Sequence, residues 1–378
     1  MKSLAFQLLF ILMLFASTNL ISQEAYTISG IVEDEQHKPI QNATVFISGS
    51  QKVTKTSETG QFTFIGITAG NYSISSKMLG FETPSLAITI HDKSINLAII
   101  LKEKPITLNE VNIISDDDRK WYYSIFKEQF LGKSIDKKKC VILNSEILNF
   151  IGKKINPPYD LILKVSADEL LIIENKLLGY RIKYLLRAFE YNAKTRITSY
   201  DGDSSFEEIE GTPEQKKIWA KNRLAAYQGS LMHFLRSAYN NTVLQEGFIA
   251  NQLIKSSNIF DERIYRNPNP AKFSSLVNRV DSSFVSYKFN GLNIVYRPKK
   301  ASLEIVRGES KVIIDSYPDD RNLLPIDATG KSSQLLLHLK EAIIDARGSV
   351  YSGYQTFLIR GLWSEKRLGD QLPFEYQP

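Results

Sequence analysis

From Tyr26 to Leu101 apolar and polar residues alternate so regularly that stacked β-sheets are the fold this stretch best accommodates. On an extended segment successive side chains point to opposite faces, which puts Tyr26, Ile28, Gly30 and Val32 on one side of a first strand. The turn-rich "EDEQHKP" then reverses the chain. Val45 and Ile47 mark a second strand, Phe62 and Phe64 another after the Gly60 turn, and Tyr72 and Ile74 one after Gly70. Leu86, Ile88 and Ile90, then Leu97, Ile99 and Leu101, complete the series. Short strands recurring every 8–12 residues or so, with turn signals between them, predict an antiparallel β-sandwich over residues 23–103.

Residues 1–22 are read as a secretory signal peptide: Lys2, an apolar run from Leu4 to Ala16, and small polar residues up to a cleavage point after Ser22. That run is shorter than the roughly 20 apolar residues needed to span a bilayer. The one cysteine, Cys140, lies far from the cleavage point, so no thiol is placed there to carry a lipid, and no intrachain disulfide can form. Stability must therefore come from core burial. A hydrophobic content of 43% and a charged content of 23% suit a globular chain. The net charge of +6 is dispersed, with Lys137 to Lys139 the longest basic run, which indicates a solvated face and no nucleic-acid partner.

Within the first module Gly30 and Val32; Pro39, Ala43 and Val45; Gly60, Phe62 and Phe64; and Gly70 and Tyr72 fall in a recurrent pattern. On these residues the module resembles the carboxypeptidase-regulatory-like domain, a transthyretin-like (prealbumin-like) sandwich common in exported Bacteroidetes proteins. The resemblance implies a fold and no reaction, because glycines set turns and aromatics fill a core. Ser57 departs from the family, which often places an aspartate there. A zinc carboxypeptidase needs a His-x-x-Glu pair and a later histidine. Of the four histidines, His37, His91, His233 and His338, only His338 has a glutamate at that spacing, Glu341, and no histidine follows it. "HLKE" is thus read as ordinary surface or sheet chemistry.

Residues 104–118 read as a linker, with Pro105 and the acid run Asp116 to Asp118. "LNEVNI", Leu108 to Ile113, resembles the stretch that follows this sandwich in TonB-dependent outer-membrane receptors, although the remaining chain is too short for a 22-stranded barrel. Residues 119–378 read as an α+β domain dominated by antiparallel sheet. "DDDRKWYYSIFKEQFLG" predicts a helix with Trp121, Ile125 and Phe126 near one face. A meander is expected from "LILKVSADELLIIENKLLGYRIKYLLRAFEYNAKTRITSY". Thr212 and Gln215 form a capping-box pattern for a helix carrying Ile218, Ala225 and Tyr227, and Ser230 caps a second with Leu231, Phe234, Leu235 and Ala238. Asn290-Gly291 predicts a type I′ hairpin, and "LEIVRGESKVIID" repeats the theme around Gly308. On "WYYSIFKEQFLG", "LLIIENKLLGYRIKYLL", "AAYQGSLMHFLRS" and "EGF", most of residues 115–375 resembles the region that follows the same domain in a group of uncharacterised Bacteroidetes envelope proteins.

Three clusters offer chemistry, and each has a plainer reading beside it. His233 and Arg236 share a helical face, as a site or as packing residues. Asp201, Asp203, Glu207 and Glu208 suit calcium or a solvated hairpin turn. Tyr351, Tyr354, Phe357 and Trp363 suit glycan stacking or sheet packing. No catalytic, cofactor-binding or metal-ligating residue is assigned. The expectation is an exported, non-enzymatic cell-envelope protein, in the periplasm or associated with the outer membrane, that binds a partner protein or polysaccharide. A carboxylate-dependent hydrolase and an accessory subunit of a TonB-dependent receptor stand as alternatives.

Overall fold

The computed structural model describes residues 25–104, 114–133, 139–156, 160–255, 263–301, 324–326, 331–351 and 356–378. The signal-type segment, "LNEVNI", "LEIVRGESKVIID" and Tyr354 lie outside the described residues. The chain is mostly β, with several antiparallel sheets and a few helices.

In the first unit the strands are β1 (Tyr26–Asp34), β2 (Thr44–Ile47), β3 (Val53–Lys55), β4 (Gln61–Ile67), β5 (Gly70–Lys77), β6 (Ser85–Ile90) and β7 (Ile95–Leu101). They form two sandwich-like sheets, ordered β4-β1-β7 and β3-β2-β5-β6. Ile28, Val32, Val45, Phe62, Ile74 and Ile99 fill the core between them, as the alternation requires. One expectation is corrected. β1 and β7 pair in parallel, from Ile28 opposite Ile95 to Asp34 opposite Leu101, so the unit is not purely antiparallel. Leu86 is half exposed because the start of β6 runs along an open sheet edge. At the turn before β4 the Ser57 hydroxyl accepts from the amides of Thr59 and Gln61 (3.3 and 3.1 Å), the role an aspartate side chain takes in such turns.

Helix α1 (Asp116–Leu131) begins inside the stretch read as a linker. Its Ser115 cap accepts from the Asp118 amide, and the three acids fill the first turn, where the helix dipole favours negative charge. The buried face is Tyr122, Phe126, Phe130 and Leu131, with Ile125 packed beside it, while Trp121 turns outward under Lys154. The helix covers a six-stranded sheet of β8 (Cys140–Ile142), β9 (Leu148–Asn156), β10 (Asp160–Ala167), β11 (Leu171–Asn175), β12 (Tyr180–Asn192) and β13 (Ile197–Glu208). The expected meander is broken: β10 and β11 share one edge of the long β12, and β13 runs the length of the other. Phe126 stacks on Phe130 at 4.8 Å and meets Phe189 edge-on at 4.8 Å, a geometry aromatic quadrupoles favour.

The third unit starts with α2 (Pro213–Tyr227) and α3 (Leu231–Tyr239). Thr212 and Gln215 make the reciprocal capping box, and the Ser230 hydroxyl accepts from the His233 amide. In α2 the inward face is Trp219 and Tyr227, and Ile218 is exposed, one residue out of the expected phase. Next come β14 (Phe248–Lys255), β15 (Ile264–Arg266), α4 (Phe273–Leu276), β16 (Val277–Arg279), β17 (Phe284–Tyr287), β18 (Gly291–Tyr296), β19 (Leu324–Pro325), β20 (Ser333–Leu337), β21 (Ala342–Asp345), β22 (Phe357–Gly361) and α5 (Leu362–Glu365). They build a sheet ordered β19-β15-β14-β18-β20-β22 and a smaller one ordered β16-β17-β21. The Asn290-Gly291 hairpin is overturned: β17 and β18 belong to different sheets, and neither residue has positive φ. Phe289, packed against Tyr287 and Phe357, draws the chain from one sheet to the other.

Phe126→Ala is expected to cost about 3–5 kcal/mol, as truncation of a fully buried aromatic does, read as a lowered midpoint in urea unfolding.

Candidate functional site

Strand β5 shows how the units meet. Tyr72 and Ile74 point into the core of the first unit, so by strand alternation Asn71, Ser73 and Ser75 point outward. A solvated face would suit such polar residues. Instead Asn71 and Ser75 are buried, because this face lies against the rest of the chain.

At one end of the seam Asp203 of β13 is the acceptor. Ser75 Oγ donates to it at 2.6 Å and Ser73 Oγ at 3.2 Å, and Arg187 of β12 pairs with it from its own sheet. At the other end Asp345, fully buried at the end of β21, accepts from the Asn71 amide at 2.9 Å and from Arg347 at 2.6 Å. Arg347 also donates to the Asn71 carbonyl, and its guanidinium lies 3.8 Å from the centre of the Tyr72 ring. Gly70 permits this approach, since a Cβ there would stand 2.7 Å from the Asp345 carboxylate. Between these ends the β2–β3 turn adds to the edge of β13: the Gly49 amide donates to Ser204 O at 2.7 Å, and the Phe206 amide to Ser50 O at 2.9 Å. His91 with Asp281 (3.0 Å) and Lys104 with Asp168 (2.6 Å) complete the rim.

The clusters singled out in the sequence are absorbed by this framework. Asp201, Asp203, Glu207 and Glu208 lie on strand β13, not in a hairpin turn, and each faces a cation: Arg187 for the first two, Lys183 for Glu207 and Arg223 for Glu208. Among the described residues no group of three His, Cys, Asp or Glu side chains is placed to hold a metal. His233 is buried between Tyr227 and Phe248. Its Nδ1 accepts from the Gly229 amide at 3.1 Å, which leaves Nε2 to donate to Glu246 at 3.2 Å. Burial holds its pKa below the usual value, which favours this neutral ring. Arg236 donates to three backbone carbonyls, of Arg347, Phe374 and Tyr376, at 2.8–3.0 Å.

His338 and Glu341 sit at a strand-to-strand turn: the His338 amide donates to Thr356 O, and the Glu341 carboxylate accepts from Ser286 and pairs with Lys288. The tail aromatics do not share one platform. Tyr351 is exposed, Phe357 stacks on Phe289, and Trp363 is buried with its Nε1 donating to Gly229 O at 2.8 Å. An open cleft of about 390 Å³ lies at the end of β13, lined by Arg181, Glu207, Glu208, Ile209 and Glu210. Arg181 there already pairs with Glu174 at 3.3 Å, and Glu208 with Arg223 at 2.7 Å.

Sequence reasoning missed Asn71, Arg187, Asp345 and Arg347. Only Asp345 left a local sign: its carboxylate accepts from the amides of Arg347 and Ser349, the signature of an Asx turn.

Residues 28–113 match the family model of the CarboxypepD_reg-like domain, and the chain carries that domain. No curated protein matches the chain. Among solved structures, it is similar to 3-chlorocatechol 1,2-dioxygenase from Rhodococcus opacus 1CP at 9% identity, over 23% of this chain and 62% of that one, with a TM-score of 0.20. A minor pilin of Streptococcus agalactiae is 16% identical over 25% of this chain and 49% of its own, with a TM-score of 0.20. A streptococcal ancillary pilin is 8% identical over 52% of this chain and 61% of its own, also at 0.20. The chain thus spans less than two thirds of each of these proteins. No helix among the described residues is long and apolar enough to cross a membrane, which says nothing of strands in a barrel.

Burial raises the pKa of Asp203, but hydrogen bonds from Arg187 and Ser75 outweigh it, and the carboxyl is held below its usual value. A depressed folded pKa gives stability that is present above the unfolded value, near pH 3.9, and lost as pH falls through the folded one. Melting temperature followed from neutral pH downward is expected to fall more steeply below about pH 4 for the parent than for Asp203→Asn, with the variant the less stable at neutral pH.

Proposed function

We propose that this is an exported cell-envelope protein of the binding or structural kind. In this reading a transthyretin-like sandwich, residues 23–103, is joined through 104–118 to an α+β domain, residues 119–378, and the sandwich faces a partner protein or polysaccharide.

The observation that carries the reading is the division of labour between the two sheets of the first unit. One sheet spends its outer face on the seam. The other, β4-β1-β7, keeps its outer face open. Across it Thr63, Ser29 and Asn96 lie side by side, and Gln61, Ile31 and Ala98 form the next row. These two rows carry no charge, so a partner can approach them with little desolvation of charge. The charged candidates elsewhere are held in ion pairs and backbone hydrogen bonds, which suits a structural role for them. Localisation at the envelope rests on the signal-type segment, and association with an outer-membrane barrel rests on "LNEVNI".

The test is a pull-down with the mature chain from gently solubilised envelopes of its own cell, repeated with Ile31→Glu and Thr63→Arg. One envelope component is expected to be recovered in matched amount with the parent, and lost with both variants at an unchanged melting temperature. Recovery that survives both variants would remove the open face from the reading. Turnover of envelope peptides or glycans by the purified protein, abolished by changing one acid, would replace binding with hydrolysis.

A further inference from the structure

The segment 366–378 touches all three units in turn. It starts with Lys366 bridged to Gly132, behind α1. Leu368 and Leu372 are buried in the core beneath that helix, and Asn175 Nδ2 donates to Gly369 O at 2.8 Å. Past Leu372 the chain reaches the first unit, and Tyr376 returns to pack against the same core. The Phe374 amide donates to Gly49 O at 2.8 Å, and the Gln51 amide donates to Glu375 Oε2 at 3.2 Å. Arg236 of α3 holds the same stretch from behind through the carbonyls of Phe374 and Tyr376.

Phe374 is the centre of this contact. Its ring fills the space that a side chain at Gly49 would occupy: a Cβ there would stand 2.6 Å from the ring, on a backbone at φ +72°. The guanidinium of Arg347, which also grips Asn71, lies 5.3 Å from the centre of the same ring. The seam beneath is not fully satisfied. Asn71 Nδ2 and Arg347 Nε are buried there without an acceptor. An interface this polar is of the kind that lets domains part without unfolding.

We infer that residues 366–378 form a latch: with Phe374 seated between Gly49 and Arg347 the first unit is held closed on the rest, and withdrawal of that one side chain lets the seam open while each unit stays folded. The device has two positions, and the Phe374 contact sets the balance between them. The inference is independent of any partner.

Hydrogen exchange on the full chain tests it, with the parent compared with Phe374→Ala and Gly49→Ala, which strike the contact from its two sides. Two amides report the seam: Asn71, which donates to Asp345, and Phe206, which donates to Ser50. Two report the interiors: Val32, which donates to Gly60 O, and Ala193, which donates to Leu161 O. In both variants the seam amides are expected to exchange about tenfold or more faster with the interior amides unchanged, the mark of local opening. A rise at all four amides alike would make Phe374 an ordinary part of the global fold and overturn the latch. No change at the seam in either variant would overturn it as well.

Discussion

The architecture turns on a carboxylate shut away from the surface. Asp345 is fully buried where three parts of the chain converge, and it accepts from the Asn71 amide, the Arg347 guanidinium and the backbone of its own turn. A buried charge without partners is too costly to persist, so each of these donors must be in place before the seam can close. The carboxylate therefore sets position more than it adds stability. One geometry satisfies it, and that geometry fixes where β5 lies against β21. Asp203 repeats the arrangement on β13 with Ser73, Ser75 and Arg187. Two such points along one strand define an orientation, as two pins hold a plate.

What the sequence disclosed follows the range of the interactions involved. Alternation located every strand of the first unit but the short β3, because burying one face of a strand is decided within a few residues, as at Phe62 and Phe64 or Tyr72 and Ile74. Caps were equally legible, since Thr212 with Gln215 and Ser230 with the His233 amide are contacts three residues long. Helix phase in α2 was not. Trp219 and not Ile218 turns inward because its ring lies on Gly179 and Gly211, where a Cβ would come within 2.3 and 2.4 Å of it, and its Nε1 reaches Lys176 O. The Asn290-Gly291 turn failed for a related reason, as the pull of Phe289 into a core overrode a local turn preference.

The seam left almost no trace because its partners are distant in sequence. Asn71 and Asp345 are 274 residues apart, and Ser75 and Asp203 are 128 apart. Serines on the outer face of a strand read as solvated, and in most sheets they are. The acids of β13 misled for the same reason. Their density suggested an ion site, while the strand spreads them along an edge where Arg187, Lys183 and Arg223 pair with them.

The parallel pairing of β1 with β7 has a mechanical side. The chain enters the first unit at the Tyr26 end of β1 and leaves it at the Leu101 end of β7, and the parallel register from Ile28–Ile95 to Asp34–Leu101 places entry and exit at opposite ends of the ladder. A pull on Tyr26 against Leu101 therefore slides the two strands past each other along their length. The ladder bonds share that load in shear, and none is opened singly from an end as in a hairpin drawn apart at its tips. A module wired this way yields late to a pull along its strands.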